Sequence, residues 1–131
     1  MALELEVGRA EGVAVVVCRG RIVFGNETTE LSKTIRLLLP QDPRIVLHLG
    51  AVQTIDSGGL GTLIGLVASA RRAHGDLKLC SVSGKAREVL QLTKLLDVVE
   101  VYPDEAAAAA AFQGSAAVAD RAVRKSQEAE R

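Results

Sequence analysis

The sequence predicts a single α/β domain: a mostly parallel sheet of four to five strands, an antiparallel strand at its edge, and helices packed against it. Three observations predict it. From residue 21 onward, short β-branched runs alternate with stretches of helical spacing. Two strand-like runs open the chain with only a glycine-bearing turn between them, which makes the first pair a hairpin. Apolar residues form 48 % of the 131-residue chain but aromatics only 2 %, so one aliphatic core is expected.

Each element has a local reason. LELEV (3–7) alternates apolar and acidic residues, as a half-buried strand does. Gly8 to Gly12 reads as a turn, and VAVVVCRG (13–20) as a central strand. In ETTELSKTIRLLL (27–39), Leu31, Ile35, Leu38 and Leu39 recur at helical spacing. Thr28 or Thr29 is expected to cap that helix, and Pro40 and Pro43 to end it. RIVLHLG (44–50) is the next strand. A glycine-rich corner follows, then a helix carrying Leu60, Leu63, Ile64, Val67, Ala68 and Arg71, with Gly75 as its expected C-terminal cap. LKLCSV (77–82) reads as a strand and SGKAREVLQLTKLL (83–96) as a helix capped by Ser83. VVEVY (98–102) is a short strand. DEAAAAAAF (104–112) is a helix with acids at its positive end. The domain is therefore expected over residues 1–112, with an alanine- and charge-rich tail, helical or frayed, over 113–131.

Composition narrows the function. Sixteen basic and sixteen acidic residues cancel, and a neutral chain almost without aromatics argues against nucleic-acid binding. Cys18 and Cys80 sit in apolar runs, as reduced core thiols do, and with His48 and His74 they show no zinc spacing. No cofactor or metal is expected. MALELEVGRAEG carries charges where a signal peptide needs an apolar run, and no segment is a candidate membrane span, so a cytoplasmic protein is expected.

The corner TIDSGGLGTLIGL (54–66) places Asp56, Ser57, Gly58, Gly59 and Gly61 between a strand and a helix. Four readings apply. Asp56 can cap the helix while the glycines permit a tight turn. Gly59, Gly61 and Gly65 approximate a dinucleotide loop, with one residue too many and no acid in LCSVSGK (79–85) to hold a ribose; no Walker lysine follows either. Ser57 could be a nucleophile, but Ile55 breaks the elbow pattern, and His74 would stand about 25 Å away along the helix. Finally, Ser57 could itself be phosphorylated. A phosphate at the first turn of a helix is tolerated by the fold, but it repels a partner docked on that surface.

The motif IDSGGLGTLIGL (55–66), with RIVLHLG before it, LKLCSVSGKAREVLQLTKLLDVVEVY (77–102) after it and GRIVFGNETTEL (20–31) upstream, resembles a STAS domain of the bacterial anti-sigma factor antagonist type. The resemblance spans about residues 3 to 112. It implies a non-enzymatic phosphoprotein that regulates transcription by partner switching. The unphosphorylated protein binds an anti-sigma factor that is also a serine kinase. Phosphorylation of Ser57 ends the binding, and a serine phosphatase resets it. The implied partner surface is Asp56, Ser57, Gly58, Gly59 and Leu60, with Asn26 and Glu27 from the loop after the second strand. The resemblance also implies that Gly59 and Gly61 keep the corner tight. Members of the sporulation type carry a second hydroxyl where this chain has Gly58, which focuses the acceptor role on Ser57. They also carry an acid in the loop after the second strand, where this chain reads GRIVFGNE, with Val23 near that place and Asn26 and Glu27 a little later.

Two competing functions follow from the same residues. One is a scaffold or subunit of a stress-sensing or lipid-transport assembly, in which Asp56 and Ser57 only cap a helix. The other is a nucleotide-binding module at the glycine corner. A homodimer also stays open, although the tail has no heptad to support one.

Overall fold

A computed structural model of the chain describes residues 3–119; the remainder of the expected tail, residues 120–131, lies outside the described residues. Five strands run in the order β1-β2-β3-β4-β5, with four helices. β1 (Leu3–Ala10) and β2 (Val13–Ile22) form an antiparallel hairpin. The strand runs straight through Gly8. The turn is only Glu11–Gly12, both at positive φ (52° and 87°), the two-residue geometry that matches strand twist.

β3 (Arg44–Ile55) lies parallel to β2, β4 (Asp76–Cys80) parallel to β3, and β5 (Val101–Tyr102) parallel to β4. The crossovers between sequential neighbours place α1 (Asn26–Leu38), α2 (Ser57–Arg72) and α3 (Gly84–Leu92) on one face. There Leu31 and Ile35, Leu63 and Leu66, and Ala86 and Leu90 meet Val16, Leu47 and Leu79 of the sheet. Fully burying each such leucine contributes about 2 kcal/mol. α4 (Glu105–Ala119) covers the other face through Ala108, Ala109 and Phe112 on Val13, Val15 and Val46. Lys78 is buried beneath it. Its Nζ pairs with Asp76 and Glu100 and stands 4.7 Å from the centre of the Phe112 ring.

Several boundaries differ from the sequence expectation, each for a local reason. β3 continues past Gly50 to Ile55 because β2 also continues to Ile22, so Arg21 and Ile22 pair with Thr54 and Ile55 beyond irregularities in register. The helix expected over 83–96 stops at Leu92, because Lys94 turns left-handed (φ 63°) and Leu95–Asp97 form a 3-10 turn. That turn shortens β5 to two residues. At the end of α2, His74 rather than Gly75 takes the left-handed position (φ 67°). Gly75 N–H donates to Ala70 O and His74 N–H to Arg71 O, a Schellman ending. Gly75 serves close packing: a Cβ there would lie 2.1 Å from Pro43 O. Neither threonine is the first cap of α1. Gly25 holds that position, and Thr28, three residues in, reaches back to it with its hydroxyl.

Both cysteines are free and buried. Burial pushes the Cys18 thiol up to about 12 and Cys80 to about 11, so both stay protonated and unreactive at neutral pH. Among the described residues no helix is long and apolar enough to cross a membrane.

Candidate functional site

The site is built where β2 and β3 end together. Ile22 pairs with Ile55 at the C-terminal ends of two parallel strands, so the loops that follow leave the same end of the sheet. One runs into α1 and the other into α2, which brings the starts of both helices together.

Asp56 ties the two loops. It is extended (φ −98°, ψ −176°) and caps α2: Gly59 N–H donates to its Oδ1 at 2.8 Å. The same carboxylate accepts from Phe24 N–H at 3.2 Å and 3.1 Å, across from the other loop. The backbone N–H groups of Gly59 and Phe24 hold the Asp56 carboxyl below its ordinary range, so it is ionised at neutral pH. An anion at a helix start also suits the dipole.

Ser57 is the first residue of α2 and is exposed. Asp56 makes the cap bond, so the Ser57 hydroxyl has no part in closing the helix. Gly58 is pressed against the first loop: a Cβ there would lie 2.5 Å from Phe24 Cβ. Gly59 is buried, and its Cβ would lie 2.1 Å from Ile22 O. The structure corrects the expectation for Gly61. A Cβ there meets nothing within 4 Å, so Gly61 does not tighten the corner and instead leaves the outer face of α2 bare.

The remaining predicted residues divide. Asn26 is exposed at the start of α1. The Glu27 side chain is largely covered and approaches Arg21 at 3.9 Å. Leu60 is partly buried against the main core and serves the fold as well as the surface. Sequence reasoning missed Phe24, which is 79 % exposed and lies against Gly58, the residue that follows Ser57. A signal was present: it is one of two phenylalanines in the chain, and it closes the short apolar run 22–24 immediately before Gly25.

This geometry bears on the other readings of the corner. The Asp56 carboxylate occupies the helix-start donor that a nucleotide phosphate would need and adds repulsion. His48 lies within β3, its Nδ1 accepting from Gly50 N–H at 3.2 Å, and His74 follows the far end of α2. Neither is placed as a base for Ser57.

The STAS domain family model matches residues 4–108. The protein BtrV of Bordetella bronchiseptica, provisionally named an anti-sigma factor antagonist, is 26 % identical over 85 % of this chain and 96 % of its own length. The crystal structure of an anti-sigma factor antagonist from Mycobacterium paratuberculosis superposes with a TM-score of 0.74 at 24 % identity, covering 86 % of this chain and 95 % of that one. The phosphorylated form of the Bacillus cell fate determinant SpoIIAA has the same fold, with a TM-score of 0.60 at 20 % identity over 81 % of this chain and 96 % of that one.

Proposed function

The chain belongs to the STAS domain family, and we propose that it is an anti-sigma factor antagonist that acts in the cytoplasm by partner switching. Unphosphorylated, it binds an anti-sigma factor that is also a serine kinase, and a sigma factor is set free. The kinase then transfers the γ-phosphoryl group of ATP to Ser57 Oγ. The oxygen–phosphorus bond forms, the hydroxyl proton is lost and ADP departs. A serine phosphatase hydrolyses the phosphate and restores the binding form.

The observation that carries this reading is the Ser57 hydroxyl. It is exposed at the first turn of α2, while its neighbour Asp56 closes the helix. The acceptor is therefore presented on a rigid element without serving as a structural bond. The names of the antagonist relatives, and the existence of a phosphorylated form of SpoIIAA, support a phosphorylation-controlled antagonist. The added dianion lies beside the Asp56 carboxylate, at a helix start whose dipole offsets part of the charge. The fold persists, and the docked partner is expelled.

Incubation with ATP and the purified anti-sigma factor kinase of the same genome, read by intact mass, tests the acceptor. Wild type gains one phosphate and Ser57→Ala gains none. Tight binding with no phosphate on either protein would instead make this chain a scaffold whose Ser57 is only the first residue of a helix.

A further inference from the structure

We propose that the Phe24 ring is the apolar anchor of the partner interface, inserted into an apolar pocket of the kinase whose rim carries a basic residue for Asp56. The proposal rests on the partner-switching reading and names the residue that supplies binding energy beside the switch.

Four observations carry it. Phe24 is 79 % exposed, so the ring does little for the fold of the free protein. It is nevertheless held in place. Its N–H is bound twice by Asp56, and its Cβ and Cδ1 lie 2.5 Å and 3.1 Å from where a Cβ on Gly58 would stand. An exposed aromatic on a fixed backbone has few side-chain torsions to lose on binding and a large apolar area to bury, which is the usual character of an interface anchor. Third, the anchor and the acceptor share one support, because Asp56 positions Phe24 with one set of bonds and starts the helix of Ser57 with another. A phosphate on Ser57 therefore falls at the edge of the pocket that receives the ring, where water is excluded and an unpaired dianion is most costly. Fourth, the ionised Asp56 next to the ring selects the occupant. A second copy docked about a two-fold axis on this face would set one Asp56 against the other, whereas a basic rim on a different protein complements it. Farther along α2, Gly61 leaves open surface, and Ile64 (46 % exposed) continues an accessible face that starts at Ser57.

The test titrates the same purified kinase with four full-length proteins: wild type, Phe24→Ala, Phe24→Leu and Ser57→Asp. Phe24→Ala keeps the backbone N–H that Asp56 holds, so its melting temperature should match wild type. Its affinity is expected to fall about 30-fold, as for an interface hot spot. Phe24→Leu restores most of that loss, because apolar area and not aromatic character fills the pocket. If Phe24→Ala binds like wild type while Ser57→Asp does not, the anchor is wrong and the switch stands. If Phe24→Ala fails while Ser57→Asp binds like wild type, the anchor stands and the switch is wrong. Failure of wild type to bind overturns both. Concentration-dependent dimerisation abolished by Phe24→Ala would assign the ring to a second copy and overturn the proposal.

Discussion

Gly59→Ala is expected to destabilise the domain by about 2 kcal/mol and to lower its melting temperature by about 8 °C. The added methyl would sit 2.1 Å from Ile22 O and 3.0 Å from Ile55 Cγ2. Ile22 O belongs to the backbone at the end of β2 and also receives the Asp56 N–H at 3.3 Å, so it cannot swing aside. α2 must lift from the sheet instead, which strains the Asp56 link to Phe24. Alanine returns up to about 1 kcal/mol of helix propensity, which offsets only part of that cost. Gly61→Ala gains the same propensity with nothing within 4 Å to oppose it, so its stability should rise by up to about 1 kcal/mol. Urea unfolding of the pair measures both. Equal shifts in the two variants would mean that α2 does not approach β2 as closely as described.

Ser57→Asp is expected to weaken binding to the kinase about 100-fold or more, while Ser57→Ala stays within about threefold of wild type. That loss corresponds to about 2.7 kcal/mol, below the several kcal/mol that an unpaired anion costs when desolvated. Asp56 is already ionised at this spot, so the substitution sets two carboxylates side by side at a surface that a partner must dry. The free protein pays no such cost, because an exposed acid in the first turn of a helix is favourable. Melting temperatures of both variants should therefore match wild type. Calorimetric titration separates this from unfolding, and equal affinity of the two variants would remove Ser57 from the interface.

Much of this was legible because the signals were local. The hairpin, the apolar spacing of Leu31 and Ile35, and the corner from Asp56 to Gly59 each follow from neighbours in the chain. What escaped depended on contacts far apart in sequence. β3 extends to Ile55 only because Ile22 is there to pair with it. Gly59 and Gly61 look alike in sequence, yet one faces the end of β2 and the other faces open space. Gly75 suggested a helix cap, but the left-handed residue is His74, because Gly75 is needed against Pro43. Lys78 in LKLC gave no sign that it would be buried beneath Phe112 with two carboxylates. Phe24 belongs to the same class: its meaning comes from Gly58 and Asp56, more than thirty residues away.

This chain is proposed to free a sigma factor, with Ser57 governing the release. The direct measurement is displacement: a preformed complex of the kinase with a fluorescently labelled sigma factor is titrated with wild type, with enzymatically phosphorylated wild type and with Ser57→Ala. Sigma release is expected with wild type and Ser57→Ala, and none with the phosphorylated protein over the same concentrations. Release by all three, or by none while the chain still binds the kinase, would contradict the proposal.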